Sequence, residues 1–389
     1  MSELIAIAGA RLFDGEAWHD DSALLVEFGY VSGIVAAAAI PANARRVELA
    51  GGMMVPGFID LQVNGGGGVL FNNAPTLAAI RTLCAAHWQF GTTALLPTLI
   101  TDTVAITEAA IAAGQAAAAA RVPGFLGLHL EGPHLALARK GTHDPALIRP
   151  MDEADLARLV AAAETLPNLL CTVAAETVTP AQIGALSAAG AVVSIGHSDA
   201  GYATAKAAFA AGATMATHLF NAMSQLGNRE PGVVGALLDT PSAFAGLIAD
   251  GIHVHPASIG VALRAKAGPG HIFLVTDAMS QTGTAIETLT LNGRTIIRAG
   301  GALRLADGTL AGADLDMIDA VNFMADRIGL AFEEAVRMAS LYPAEALGLA
   351  ETHGHLRPRA VASFVHLNAA RQVEATWIAG DPVWSRPAA

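Results

Sequence analysis

Residues 192–219 read VVSIGHSDAGYATAKAAFAAGATMATHL, and this stretch decides the fold. A short apolar run at 192–196 stops at His197. An alanine-rich segment at 202–211 is long enough for a helix, Gly212 is placed to close it, and a second apolar run at 214–219 carries His218. A strand-length run, a helix and another strand-length run make a βαβ unit, whose two strands lie parallel. Working outward, six more runs have the same character, at 58–63, 93–98, 125–130, 169–174, 244–249 and 271–276. Helical stretches at 76–89, 152–164, 180–189 and 256–267 alternate with them, and two more at 314–328 and 332–348 follow the last strand. Thr76 and Asp152 stand where N-caps belong, and Gly190 and Gly212 where helices end. Eight such units predict an α/β protein built on a (β/α)₈ TIM-like barrel over 56–354. The first 55 residues and the segment 355–389 carry short strand-like runs between turns such as Asp14-Gly15 and Ala379-Gly380-Asp381-Pro382. They are expected to combine into a small β-sandwich domain built from both chain termini.

Composition narrows the function. The 389 residues are 53% apolar and 14% charged, which is a globular profile. With 22 basic and 34 acidic residues the net charge is −12, which argues against a protein that coats nucleic acid or anionic lipid. No uncharged apolar run reaches the roughly 18–20 residues of a membrane span. Met1-Ser2-Glu3-Leu4 lacks the basic start of a secretory signal, and two cysteines, Cys84 and Cys171, cannot frame a disulfide scaffold. The expected location is the cytoplasm.

A barrel places its chemistry at the C-terminal ends of its strands, and those ends meet at one mouth. Reading them off gives Gln62 and Asn64, Thr98, Glu131, Glu176, His197, His218, Asp250 with His253, and Asp277. A single histidine in such a place is usually a hydrogen-bonded core residue. Two histidines and a glutamate on converging ends are instead a ligand set for a borderline divalent cation with a position open to water. Asp277 could accept a proton from that water. Arg229, in Gly227-Asn228-Arg229-Glu230-Pro231-Gly232, could grip a phosphate or carboxylate. Asn64 and the glycines at 65–68 are no phosphate-binding loop, because no Gly-Lys-Ser/Thr follows.

At these residues the chain resembles the N-acetylglucosamine-6-phosphate deacetylases of the amidohydrolase superfamily. The matching blocks include His129-Leu130-Glu131-Gly132-Pro133, Lys140-Gly141-Thr142-His143 and Gly196-His197-Ser198. They continue with Thr217-His218-Leu219-Phe220-Asn221-Ala222-Met223, Arg229-Glu230-Pro231-Gly232, Asp250-Gly251-Ile252-His253 and Thr276-Asp277-Ala278. The resemblance implies hydrolysis of N-acetyl-D-glucosamine 6-phosphate to glucosamine 6-phosphate and acetate, a step of amino-sugar catabolism. It implies Glu131, His197 and His218 as metal ligands, Asp277 as general base and then acid, and His143 as the group that polarises the amide carbonyl. Thr142, Asn221, Ala222, Arg229, His253, Leu310, Ala311 and Gly312 are implied in substrate binding, with Gln62 and Asn64 at the mouth. It also implies a homodimer in which Arg229 or His253 reaches the phosphate across the interface. Many members of the superfamily carry His-x-His where this chain has Gln62-Val63-Asn64. Two imidazoles are thereby absent, so one divalent metal per subunit, Zn²⁺, is expected. Related amidohydrolases acting on other N-acyl compounds share this metal logic, and a non-catalytic homologue would have lost a ligand or the base. Here all four are present.

Overall fold

The computed structural model describes residues 3–387. Eight strands form one sheet whose order follows the chain. They are β1 Phe58–Val63, β2 Thr92–Ile100, β3 Leu128–Glu131, β4 Leu169–Val173, β5 Val192–Ile195, β6 Met215–Ala216, β7 Phe244–Leu247 and β8 Ile272–Leu274. Neighbours from β2 to β8 pair in parallel. Val63 bridges Ala278, just beyond β8, so the sheet is nearly closed as a barrel. All eight expected strands are present. Being buried on both faces, they read as unbroken apolar runs without alternation.

The helices between them begin where side chains can satisfy their first N–H groups. Asp152 accepts from the N–H of Asp155 ahead of Glu153–Thr165, and Thr179 with Gln182 forms a capping box ahead of Pro180–Ala188. Thr76 Oγ1 accepts from Ala79 N–H at 3.2 Å at the start of Leu77–Trp88. Gly190 and Gly212 follow their helices at φ of 93° and 123°, conformations that cost other residues strain. The expected helix at 314–328 is Met317–Phe323 continued by a π-helical turn, Met324–Ile328. That expected at 332–348 is broken at Ser340 into Phe332–Ala339 and Leu341–Ala346. Pro343 sits in the first turn of the second piece, where its missing N–H is harmless.

By packing, the chain divides into two compact units. One draws on Met1–Asp60, His87–Ala94 and Asp316–Ala389, the other on Leu61–Ala86 and Leu95–Leu315. The first holds a four-stranded and a six-stranded sheet. Ile7, Leu24, Val26 and Val31 from the former and Leu12, Met54, Phe364 and Trp377 from the latter share one apolar core. This is the expected sandwich of the two termini. Domain boundaries at 55/56 and 354/355 remain a proposal, which limited proteolysis would test. Among the described residues no helix is long and apolar enough to cross a membrane. Cys84 and Cys171 are free and buried.

The second unit holds an element that the sequence reading left out. Thr288–Leu291, Arg294–Ala299, Ala302–Leu305 and Leu310–Ala313 form an antiparallel sheet after β8. Leu289, Leu291, Ile296 and Leu303 pack on Leu70, Ile100 and Met279 at the barrel mouth. Alternation in Thr288-Leu289-Thr290-Leu291, followed by Asn292-Gly293, was the available signal. Both turn residues have positive φ, 49° and 73°, as a type I′ hairpin requires.

Candidate active site

Three residues at the strand ends share an unusual backbone. His197, His218 and Asp277 have φ of 47°, 29° and 51°. Such conformations cost non-glycine residues energy and persist where surrounding structure imposes them, characteristically at functional sites. Here close packing does so. A Cβ on Gly196 would lie 2.8 Å from side-chain carbons of Thr172 and Thr217, so only glycine lets the chain turn into His197 there. Below lies a floor of buried hydrogen bonds: His129 Nε2 to Thr172 Oγ1 at 2.7 Å, and Thr217 Oγ1 to Thr172 and Ser194 at 2.6 Å each. Burial pushes the His129 imidazole down to about 4, so it stays neutral in this network.

Above the floor, Glu131 Oε1 lies 3.1 Å from His197 Nε2 and 3.1 Å from His218 Nε2, and the two nitrogens are 3.1 Å apart. His197 Nδ1 is 2.7 Å from the carbonyl oxygen of Arg139. A carbonyl only accepts, so Nδ1 carries a proton, and Nε2 faces Glu131 and His218. Such an arrangement calls for a positive charge at its centre. Burial works against charging His218, but the hydrogen bond and charge of Glu131 hold that imidazole above its ordinary value. Burial likewise opposes ionisation of Glu131, and the two imidazoles outweigh it, drawing the carboxyl well below its usual range. The donor set therefore fits a divalent cation bound by two imidazoles and a carboxylate.

One ring nitrogen of His143 lies within 4.8 Å of a carboxylate oxygen of Glu131 and a ring nitrogen of His197. Its surroundings give it a different part. The backbone N–H of Thr101 points at Nδ1 from 3.3 Å, and Thr101 Oγ1 lies 2.7 Å away. An N–H can only donate, so Nδ1 is the acceptor and the proton sits on Nε2. Burial first, and then the neighbouring His197, keep the ring well below its usual value and so neutral. Neutral His143 is thus an N–H donor, which suits it to a developing oxyanion and not to ligating a cation.

Gly132 follows Glu131 at φ 85°, and a Cβ there would lie 2.2 Å from Thr101 Oγ1, the partner of His143. Gly132→Ala should therefore cost about 2 kcal/mol or more of stability in urea denaturation of the metal-free protein. It should also lower kcat by disturbing Glu131 and His143 together.

Asp277 completes the group. Its Oδ1 accepts from Asn64 Nδ2 at 2.6 Å and from Gln62 Nε2 at 3.3 Å, and the same Gln62 nitrogen reaches Glu131 Oε1 at 3.3 Å. Burial, and secondly the charge of Glu131, push the Asp277 carboxyl up to about 6. Such a carboxylate is a far better base than an exposed one.

A cavity of about 470 Å³ opens over these groups, within the range of small-molecule sites. Its wall includes Asn64, Glu131, Thr142, His143, His197, His218, Asn221, Ala222, His253, Asp277, Leu310 and Gly312, bringing most of the expected site residues together. His253 is oriented by Asp250, Nδ1 to Oδ2 2.6 Å. Others lie elsewhere. Gln62 sits beneath the wall, Ala311 packs into the apolar cluster under the added sheet, and Arg229 is exposed and outside the cavity of its own chain. Glu176 braces the loop after His197 by accepting from Ser198 Oγ at 2.6 Å and Asp199 N–H at 2.7 Å. Thr98 accepts from Val63 N–H below the mouth. Arg139 and Arg304, which also line the cavity, escaped the strand-end reading because neither lies on a barrel strand.

The chain is similar to known proteins over most of its length. Residues 53–383 match the amidohydrolase family. An N-acetylgalactosamine-6-phosphate deacetylase of Shewanella sp. (strain ANA-3) is 42% identical, over 96% of this chain and 94% of its own. An N-acetylglucosamine-6-phosphate deacetylase of Haemophilus influenzae is 32% identical, over 92% and 94%. The crystal structure of N-acetylglucosamine-6-phosphate deacetylase from Pasteurella multocida superposes with a TM-score of 0.94 at 32% identity, covering 98% of this chain and all of that one.

Proposed function

The chain belongs to the amidohydrolase family, and on that premise we propose that it removes the acetyl group from an N-acetylhexosamine 6-phosphate, releasing acetate. The substrate implied by the chain's resemblance is N-acetyl-D-glucosamine 6-phosphate, which would yield D-glucosamine 6-phosphate. One observation carries the proposal. Glu131, His197 and His218 converge at 3.1 Å, with Asp277 and His143 in the same cavity wall.

Glu131, His197 and His218 would hold the cation, and zinc suits two imidazoles and one carboxylate. When bound, such a cation supplies Lewis acidity and lowers the pKa of water from about 15.7 toward 7. Asp277, fixed through Oδ1 by Asn64 and Gln62, takes the proton of the attacking water. It then returns that proton to the departing nitrogen, since an amine leaves far more readily than its anion. His143 donates Nε2–H to the carbonyl oxygen as negative charge develops there. His253 and Thr142 would line the sugar, Asn221 and the backbone at Ala222 would meet the phosphate, and holding the phosphate end would position the amide. Arg229, exposed on its own chain, fits a role in the cavity of a neighbouring subunit of a homodimer. A cytoplasmic location suits the two free cysteines.

We read the site as mononuclear. Gln62 directs N–H donors at Glu131 and Asp277 together, which disfavours a second cation between those carboxylates. Elemental analysis of the purified protein should give one zinc per chain, and two tightly held metals would contradict this reading.

The galacto epimer is a second substrate reading, favoured by the 42% identity to a deacetylase of N-acetylgalactosamine 6-phosphate. Comparing kcat/KM for the two 6-phosphates in one assay decides between them. Turnover of neither, with metal bound, would discard the hexosamine phosphate altogether.

A further inference from the structure

We propose that Arg304 is a substrate-binding residue that holds the anionic end of the substrate from within the same chain. This rests on the hexosamine-phosphate reading above. A protein of net charge −12 that takes a phosphate ester needs positive charge placed locally. Two arginines line the cavity. Arg139 is committed, with its Nε 2.7 Å from Asp199 Oδ1. Arg304 forms no ion pair among the described residues. Among the described residues its side chain makes one hydrogen bond, Nη1 donating to the carbonyl of Gly308 at 3.0 Å, inside its own turn. That bond steadies the guanidinium and leaves most of its five donors for a ligand.

The added sheet sets the position of this side chain. Arg304 pairs across strands with Leu310, which also lines the cavity. Gly308 and Thr309, in the intervening turn, line the cavity as well. The other two arginines of these strands serve as anchors. Arg294 donates to the carbonyl oxygen of Thr142, and Arg298 pairs with Asp314 at 2.8 Å. With the sheet fixed on both sides and by its apolar underside, Arg304 is the one of the three left to face the cavity. A guanidinium is the appropriate group, because it meets phosphate oxygens with two parallel donors.

The test is steady-state kinetics of Arg304→Ala and Arg304→Lys with the better of the two N-acetylhexosamine 6-phosphates, together with competitive inhibition by inorganic phosphate. Arg304→Ala should raise KM and the inhibition constant for phosphate together, by roughly 10- to 100-fold, with kcat within about threefold of the parent. Arg304→Lys should recover part of the loss, and the salt dependence of kcat/KM should weaken in the alanine variant. An unchanged KM and phosphate inhibition in Arg304→Ala, beside an active parent, would overturn the role of Arg304 alone. So would a fall in kcat with phosphate inhibition unchanged, which would mean that Arg304 merely supports the sheet. A metal-loaded parent inactive on both 6-phosphates would remove the underlying reading and this proposal with it.

Discussion

Asp277→Asn should lower kcat by roughly 10³- to 10⁴-fold while the protein keeps its fold, its metal and its affinity for substrate. The side chain is nearly isosteric, and its oxygen can still accept from Asn64 and Gln62, as Oδ1 of Asp277 does at 2.6 and 3.3 Å. What the amide cannot do is take up and hand back a proton. The loss should therefore fall on kcat, with KM within a few-fold and metal content unchanged. A variant with a tenth or more of the parent kcat would remove Asp277 from proton transfer.

Glu131→Gln should be at least as damaging, by another route. Glu131 brings the one negative charge among the three converging ligand groups, and that charge holds the His218 imidazole above its ordinary value against burial. An amide of the same size leaves the packing but withdraws the charge. Zinc content after gel filtration should drop well below one per chain, and kcat/KM should fall by about 10³-fold or more, since several kcal/mol of transition-state stabilisation go with the cation. Full zinc occupancy and near-parental activity in Glu131→Gln would place the metal elsewhere.

The sequence showed the barrel because its strands are buried on both faces and announce themselves as apolar runs, as in 192–196 and 214–219. The ends of those runs then located Glu131, His197, His218 and Asp277 without any contact information. What escaped was whatever depends on side-chain direction or on structure inserted between regular units. That His143 is a donor follows only from the Thr101 N–H lying on its Nδ1. Gln62 and Asn64, expected at the mouth among the substrate contacts, spend their amide donors on Glu131 and Asp277. Arg304 lay on strands too short and polar to interrupt the βα rhythm, although Asn292-Gly293 marked their first turn. Arg229, expected among the substrate contacts, lies outside the cavity of its own chain.

A metal held by Glu131, His197 and His218 is what deacetylation should require. The most direct test measures acetate released from N-acetyl-D-glucosamine 6-phosphate by the purified protein, first as isolated, then after exhaustive chelation, then with one equivalent of zinc restored. Chelation should abolish activity and stoichiometric zinc should return it. Acetate release that persists undiminished in protein shown to be free of metal would contradict that requirement.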